Sequence, residues 1–495
     1  MSDKGKAVKN LIFSSSGMYV ETFFAMIMSI IIARTLGPET YGVYALLIWI
    51  SALGIKITNG GVTTAIVKFI SECRVKSPEY ISSTIDYLRK IQLIKLCLVF
   101  VLFFLVFYVA QGVYLKDISL TLFALLMLAI ALRSTYMFYV SYSKGFENFK
   151  AIAVISSIGS FIYLLIIVLT AVFFSSLTAF VFVYVLSGLI YLIISKYFTL
   201  KWCKHHGQQK LISNKLSKRI KNHVSIVLLN TLLIFLITKE SELLFLKYYA
   251  EPDDLGYFKV AYMIGFAIAL LLPGLFDAIL LPLMSGSIAK SKQVAASRFI
   301  SSIKYILLLA VPASIYFSAS AKDIILLLYG ESYQPAVVPF QMIVFACCIY
   351  SIGSVATSYL LSVDKQTIIL RITILGTIVK LVLDYYLIKN YSLVGASIAF
   401  SLSLFFMFIV TMIVAIKSLK VRLPIIHIIK VIMATIFSFF IMNLIPTQSF
   451  EILNLFFTAT LFLFSYIIFS LMLRCWGKEE INYIRQSMNT TKYVF

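Results

Sequence analysis

Residues 91–113 read IQLIKLCLVFVLFFLVFYVAQGV, an almost unbroken apolar run that carries a single charge, Lys95. A helix needs roughly 20 mainly apolar residues to cross the hydrocarbon core of a bilayer, so this run predicts a membrane-spanning helix. Comparable runs recur along the whole chain, and about fourteen of them are long enough to cross. The predicted spans are 10–33, 41–62, 91–113, 118–140, 151–174, 177–197, 223–247, 256–283, 303–320, 335–356, 368–388, 391–416, 424–445 and 452–474.

Composition agrees with this reading of the apolar runs. The 495 residues are 61% hydrophobic and 13% charged, whereas soluble domains are about half apolar and a quarter charged. Such a chain cannot cover itself with polar surface, which excludes a water-soluble fold. The sequence therefore predicts an all-α polytopic membrane protein.

The formal net charge of +22 predicts how the chain is oriented. A basic balance is typical of binding to nucleic acid or to a membrane, and the apolar runs favour the membrane. If the N-terminus is cytoplasmic, the cytoplasmic loops carry most of the Lys and Arg, and 201–222 is the richest. This asymmetry predicts a multi-pass protein of the cytoplasmic (inner) membrane with both termini in the cytoplasm and no nucleic-acid partner.

An internal repeat divides the first twelve predicted helices. The segment 37–42 (GPETYG) resembles 251–256 (EPDDLG), which aligns Gly42 with Gly256 at an offset of 214. At an offset of 217, Glu147 aligns with Asp364. Six helices return the chain to its starting side, so the repeat is parallel and predicts two six-helix bundles around a cavity. The predicted domains are the bundle 1–200, the basic linker 201–222, the bundle 223–416, an extra helix pair 417–474 and a tail 475–495.

Six stretches carry a resemblance to a known family. They are ARTLGPETYGVYALL (33–47), GVTTAIVKFIS (61–71), GFENFK (145–150), LGYFKVAY (255–262), DIILLLYGESYQPA (323–336) and VLDYYLIKNYSLVGASIA (382–399). In this order and spacing they resemble the polysaccharide-transporter branch of the multidrug/oligosaccharidyl-lipid/polysaccharide (MOP) exporter superfamily. They look most like O-antigen (Wzx-type) flippases and related capsule exporters.

The resemblance implies both a fold and a function. The fold would be MATE-like, with two extra C-terminal helices beyond the common twelve. The function would be to flip an undecaprenyl-pyrophosphate-linked O-antigen or capsule repeat unit to the outer leaflet, as in lipopolysaccharide synthesis. The resemblance also implies coupling to an H⁺ or Na⁺ gradient and no cofactor. Its partners would be the bilayer, a polysaccharide polymerase and chain-length machinery.

Ionisable residues inside the spans are the candidates for function, because charge is costly in lipid. A pyrophosphate needs compensating cations to cross. The candidates for this role are Lys56, Arg133, Lys239 and Lys259. The candidates for binding the coupling ion are Glu21, Glu240 and Asp277.

Helical stripes of polar residues predict which faces turn inward. Ser14 lies on one stripe with Glu21, and Thr373, Thr377, Lys380 and Asp384 form another. We expect both to line the cavity. Purely structural interpretations stay open for several of these residues. Lys259 can reach the membrane interface, and Lys380 and Asp384 can form a structural ion pair. Lys239 and Glu240 can neutralise neighbouring charges, and Asp277 can serve topology alone. The 30 tyrosines are interpreted mainly as interfacial belt and core packing.

Three functions remain open from sequence. The first is the lipid-linked oligosaccharide flippase. The second is a cation-coupled multidrug exporter of the same fold. Most of the best-placed candidate residues inside the spans are basic, which favours an anionic substrate instead. The third is a membrane-embedded polysaccharide polymerase or glycosyltransferase, which the short predicted outside loops disfavour. We therefore expect a secondary transporter rather than an enzyme.

Overall fold

The structure is a computed structural model that describes residues 3–110, 118–203, 210–271, 273–444 and 451–476. Within these ranges it also describes the side chains, apart from those of 3–18, 110, 273, 275, 277, 278, 451 and 452. The described part is helical throughout and contains no strand. This confirms the all-α class.

The helices follow one another with short connections. They are α1 (Asp3–Asn59), α2 (Val62–Lys76), α3 (Ile81–Ala110), α4 (Leu120–Gly145), α5 (Phe149–Phe173), α6 (Leu177–Trp202), α7 (Asn214–Thr238), α8 (Glu242–Tyr249), α9 (Pro252–Leu271), α10 (Asp277–Lys290), α11 (Lys292–Ala319), α12 (Ala321–Tyr329), α13 (Val337–Ser362), α14 (Gln366–Leu383), α15 (Lys389–Leu419), α16 (Ile425–Asn443) and α17 (Glu451–Met472). Short 3₁₀ turns lie at Pro78–Tyr80, Pro273–Phe276 and Glu331–Ala336, and a π-turn lies at Asp384–Ile388.

Twelve helical stretches in the described residues are long and apolar enough to cross a membrane. Two of them, Tyr19–Lys76 and Gln366–Leu419, run for 58 and 54 residues, more than twice the roughly 20 that one crossing needs. Each long stretch contains a break, at Gly37 (φ 74°) in the first and at Ser392 (φ 44°) in the second. The fourteen predicted spans all fall on these twelve stretches, two on each long one, but the count of fourteen is not itself confirmed.

The break at Gly37 has a local chemical cause. Glycine lacks a Cβ and adopts positive φ without strain, and Pro38 after it suits the first turn of a helix. The Gly-Pro pair therefore ends one helical segment and starts the next within α1.

Apolar side chains cover the outer face of several helices. On α3, Leu98, Val101, Phe104 and Leu105 are exposed. In water this surface would drive aggregation, whereas in a bilayer it meets hydrocarbon. The protein is therefore a multi-pass membrane protein.

The described residues fall into two compact units. The first combines Met1–Met263 with Thr373–Ala399, and the second combines Ile264–Ile372 with Phe400–Phe495. The predicted halves were defined by the internal repeat and not by packing, so the bundle boundaries 1–200 and 223–416 stay a prediction.

Within the first unit, α1 packs along α5, and α4 packs along α6. Within the second unit, α11 packs along α13 and the hairpin α16–α17 packs on α11. The Tyr316 hydroxyl of α11 donates to the carbonyl of Leu455 at 3.1 Å, and that of Tyr466 on α17 donates to the carbonyl of Leu308 at 3.0 Å. These bonds fix the last helix to the rest of its unit.

Positions aligned by the sequence repeat have matching local geometry. Glu147 and Asp364 both have φ 57°. Each ends a helix in which the following amide bonds five residues back, Asn148 to Ser143 at 3.0 Å and Lys365 to Leu360 at 2.9 Å. Non-glycine residues are uncommon in this left-handed conformation, so the same exception at both aligned positions supports the repeat.

The aligned glycines Gly42 and Gly256 lie at the same contact between two helical segments of the first unit. A Cβ on Gly42 would lie 2.6 Å from the Cβ of Leu255 and 2.8 Å from the amide nitrogen of Gly256. A Cβ on Gly256 would overlap the carbonyl oxygen of Pro38. The two helix starts therefore approach through backbone, as small residues allow in membrane helices.

We expect Gly256→Ala to lower the free energy of unfolding by about 1–3 kcal/mol, because overpacking here forces backbone to move. The measurement is the melting temperature of the purified protein in detergent. Gly286→Ala is the matched control, since a Cβ there meets nothing within 4 Å. Equal melting temperatures for Gly256→Ala and Gly286→Ala would contradict the packing argument.

Candidate functional site

A cavity of about 240 Å³ lies within the first unit. Three of the predicted charged candidates, Glu21, Arg133 and Lys259, share its wall. Its other lining residues are mainly hydroxyl-bearing or apolar: Ala25, Met28, Ser29, Ile32, Tyr41, Tyr44, Ile48, Tyr136, Ser160, Tyr163, Tyr184, Tyr191 and Met263. The cavity thus combines opposite charges with a polar aromatic wall.

Arg133 is held by neutral groups in this wall. Its Nη2 donates to the carbonyl oxygen of Tyr184 at 3.3 Å and to the hydroxyl of Ser187. Its guanidinium carbon stands 3.6 Å from the centre of the Tyr184 ring, a cation–π contact. Gly188 leaves room for the arginine stem, because a Cβ there would lie 3.2 Å from Cγ of Arg133.

The charge of Arg133 has no carboxylate partner at ion-pair distance in the part of the chain that the structure describes. Its Nε is buried and makes no hydrogen bond to any described residue. A cation inside a membrane is costly unless a counter-charge meets it. Arg133 therefore keeps the capacity to bind an anion.

Glu21 is the one carboxylate among the lining residues of this cavity. Its side chain is exposed to open space, and Ser156 is its hydrogen-bonding neighbour. The cations whose fields act on it are Arg133 and Lys144. Glu21 is thus a carboxylate accessible from the cavity, as a group that exchanges an ion must be.

A second set of charges surrounds Lys239 in the first unit. Lys56, Lys259 and Glu240 all act electrostatically on its ammonium group. Lys259 donates to Oε1 of Glu240 at 2.5 Å. Lys56 makes no ion pair and no side-chain hydrogen bond to the described residues. Three cations thus lie around Glu240, whose field also reaches Glu242.

A third charged group is completely buried. Lys380 and Glu242 have 0% exposed side chains and form an ion pair of 2.6 Å. The Lys380 ammonium also donates to the carbonyl of Ile237 at 3.3 Å. Asp384 is buried beside them and accepts a hydrogen bond of 3.4 Å from Ser241.

This cluster contains two carboxyl groups and one ammonium group. Oε2 of Glu242 and Oδ1 of Asp384 are buried without a hydrogen-bond partner among the described residues. Uncompensated charge at such a depth costs several kcal/mol, so a neutral cluster requires one additional proton or cation. The structure therefore supplies a site where charge can be taken up.

The other predicted site residues are distributed as follows. Thr373 and Thr377 are buried with Lys380 and Asp384, so all four members of that stripe point inward. The side chains of Ser14 and Asp277 lie outside the described residues. The structure thus brings Glu21, Arg133 and Lys259 to one cavity and puts Lys380 and Asp384 in a different cluster.

Two features were missed by sequence reasoning. Six of the 30 tyrosines line the cavity, a larger share of the site than a belt-and-core interpretation implies. Helical spacing could have indicated them, because Tyr136 lies on the same face of α4 as Arg133, and Tyr184 and Tyr191 share one face of α6. The second is Glu242 as partner of Lys380, where the one-turn spacing to Asp384 had suggested another pair.

Comparison with known proteins places the chain in context. A family model described as polysaccharide biosynthesis protein matches residues 7–288. No curated protein sequence matches the chain. A structure of the lipid II flippase MurJ in an inward closed conformation has a TM-score of 0.75 at 13% identity, covering 94% of this chain and 99% of that one.

Transporters of the MATE family are similar as well. An inward-facing multidrug resistance MATE transporter of the MOP superfamily has a TM-score of 0.63 at 13% identity, covering 83% of this chain and 98% of its own. A Vibrio cholerae MATE transporter has a TM-score of 0.60 at 15% identity, covering 84% and 98%. At these identities the likeness establishes the fold, which confirms the MATE-like architecture.

We expect Lys380→Met to destabilise the protein by about 3–5 kcal/mol, because it leaves two buried carboxyl groups without their cation. Glu242→Gln should cost less, since Lys380 keeps a hydrogen-bond acceptor and Asp384. Thermal unfolding in detergent measures both. Lys389→Met, which removes an exposed lysine nearby, is the control and should change little. A Lys380→Met protein as stable as this control would contradict the buried ion pair.

Proposed function

This chain belongs to the polysaccharide biosynthesis protein family, whose model matches more than half of its length, and we propose that it is a lipid-linked oligosaccharide flippase. Its substrate would be an undecaprenyl-pyrophosphate-linked O-antigen or capsule repeat unit. It would carry this unit from the cytoplasmic to the outer leaflet of the inner membrane by alternating access. The fold shared with a lipid II flippase supports a transporter of this kind.

The observation that carries the proposal is the environment of Arg133. A half-buried arginine with neutral hydrogen-bond partners and a buried, unused Nε–H lines a cavity within the spans. Guanidinium groups bind phosphate oxygens through paired N–H donors. A pyrophosphate would supply the counter-charge that the protein leaves out, and the tyrosine and serine hydroxyls would meet its oxygens or the first sugar.

Lys56, Lys239 and Lys259 extend this positive region. Glu240 offsets one of the three charges through its ion pair with Lys259. Three lysines grouped in this way support a substrate that carries negative charge, as a pyrophosphate does. We assign Lys56 and Lys239 to the path of the pyrophosphate. Lys259 would join this path only when its ion pair with Glu240 opens.

The alternatives fit this arrangement less well. A MATE multidrug exporter is supported by fold, but a cationic drug would be repelled by the unpaired Arg133. A polymerase or glycosyltransferase is not supported by the cavity, because Glu21 is the one carboxylate among its lining residues, whereas glycoside hydrolases, for example, act on a glycosidic bond with two. Secondary transport remains the function that the charges support best.

Ion coupling would rest on Glu21 in this scheme. Glu240 is held by Lys259, whereas Glu21 is accessible from the cavity that contains Arg133. Uptake of H⁺ or Na⁺ by Glu21 would alter the field at Arg133 and hence its hold on the substrate. The buried cluster of Glu242, Asp384 and Lys380 is a second place where an ion could enter.

Polymerase and chain-length machinery would receive the flipped unit, and both termini would lie in the cytoplasm.

We expect Arg133→Gln to reduce surface polysaccharide at least tenfold, because a charge-assisted contact is worth about 1.5–3 kcal/mol. Lys56→Ala should act in the same direction. The measurement is surface polysaccharide in a complemented deletion strain, with lipid-linked oligosaccharide at the inner leaflet as the second readout.

Arg371→Gln is the matched control for Arg133→Gln, since Arg371 is an exposed arginine within a spanning stretch. It should leave polysaccharide unchanged. Membrane levels of each variant are followed by immunoblot. Full polysaccharide in both Arg133→Gln and Lys56→Ala cells would refute the cationic cavity.

We expect Glu21→Gln to weaken the dependence of flipping on a pH or Na⁺ gradient, because an amide cannot exchange a proton or hold a cation as a carboxylate does. Flipping is measured in proteoliposomes with imposed gradients. Glu39→Gln removes an exposed carboxylate from the same helix and should keep the full dependence. An unchanged gradient dependence in Glu21→Gln would remove Glu21 from coupling.

A further inference from the structure

A second polar cavity lies within the second unit, away from any residue assigned above. Its volume is about 160 Å³. It is formed where α16 begins and α17 ends, against the first half of α11. The residues lining it are Ser301, Lys304, Tyr305, Leu308, His427, Arg474, Cys475 and Trp476.

The charge of this pocket is positive. Lys304 and Arg474 line it, together with the imidazole of His427, and no carboxylate is among its lining residues. Neither Lys304 nor Arg474 has an ion pair in the described ranges of the chain. Lys430, one helical turn after His427, adds a further positive field at Cys475. Such a site attracts an anion and repels a cation.

Arg474 is held at the rim by a defined turn. It follows α17 with φ 54°, where glycine is the usual residue. The amide of Cys475 donates to the carbonyl of Ser470 at 2.8 Å, and the indole of Trp476 donates to the Ser470 hydroxyl at 2.9 Å. Arginine here costs roughly 1–2 kcal/mol of backbone strain. This backbone strain therefore falls on Arg474, the residue whose guanidinium lines the pocket.

The opposite wall is tied to α17, the helix that this turn ends. Tyr466 on α17 donates to the carbonyl of Leu308, itself a lining residue, at 3.0 Å. Ser301 and Tyr305 add hydroxyl groups on the helical face that carries Lys304. The pocket therefore has two cations, hydroxyl donors and a fixed frame, which together suit the oxygens of a phosphate group.

The surroundings distinguish a lipid phosphate from a soluble one. Ile426 next to His427, and Met472 at the end of α17 two residues before Arg474, are exposed apolar side chains. A ligand seated here meets hydrocarbon contacts next to its charge. Only an amphiphile uses both.

The end of the helices at which the pocket lies is the predicted cytoplasmic end. Lys417, Lys420 and Arg422 precede α16 there, in agreement with the positive-inside rule. Basic pockets between helices at this level bind anionic lipid headgroups.

We propose that the pocket formed by Lys304, His427 and Arg474 binds the phosphate group of an anionic membrane lipid in the cytoplasmic leaflet. The lipid would bridge α11 and the hairpin α16–α17, with its chains along exposed apolar side chains such as Ile426 and Met472. This site is separate from the Arg133 cavity, and its test does not depend on flipping.

The test is lipid binding to the purified full-length protein, followed by native mass spectrometry in detergent. We expect phosphatidylglycerol to bind and phosphatidylcholine to bind at least tenfold more weakly. The double variant Lys304→Gln/Arg474→Gln should lose phosphatidylglycerol affinity by about tenfold or more, as expected for lost charge-assisted contacts. Lys304→Gln alone provides the same test if the double variant unfolds.

Arg422→Gln is the matched control, because it removes a charge from the same end of the helices without lining the pocket. It should retain wild-type affinity. Equal affinity in wild type and in Lys304→Gln would overturn the proposal, as would equal losses in Lys304→Gln and Arg422→Gln. Displacement of phosphatidylglycerol by an equal concentration of inorganic phosphate would show a soluble phosphate ligand and overturn the lipid assignment.

Discussion

A charge within a bilayer must find a counter-charge or a use, and this constraint organises the first unit of the protein. Lys259 meets Glu240, and Lys380 meets Glu242 at a position with no exposed surface. Arg133 differs, because ring faces, a carbonyl and a hydroxyl hold it in place without neutralising it. The paired charges can hold helices together, while the unpaired one is available to a ligand.

Much of the fold could be predicted from sequence because it depends on local properties. Apolar length specifies a crossing, and the side assigned from the basic loops stays a prediction. The Gly-Pro pair at 37–38 is a sequence signal for a helix boundary. The alignment of Glu147 with Asp364 also anticipated a backbone detail, since both adopt the same left-handed cap.

The candidate site was less accessible, because partners in space are not neighbours in sequence. Lys380 and Asp384 are one turn apart, yet the ammonium of Lys380 bonds Glu242, which begins the short helix α8. No periodicity relates these positions. The tyrosines around Arg133 come from four helical segments, and each alone resembles ordinary packing. Depth in the membrane could be estimated from a sequence, whereas which side chains share a cavity required the structure.

The contact between Gly42 and Gly256 also limits how the protein can vary. In most packed pairs, a larger side chain on one partner is relieved by a smaller one on the other. Here both partners already have no side chain. The atoms nearest to a Cβ on Gly256 are main-chain atoms of Pro38, and those nearest to a Cβ on Gly42 are the Cβ of Leu255 and the amide nitrogen of Gly256. No second substitution within the pair can restore the space. The two copies of the repeat are therefore both constrained to keep glycine at this pair of aligned positions.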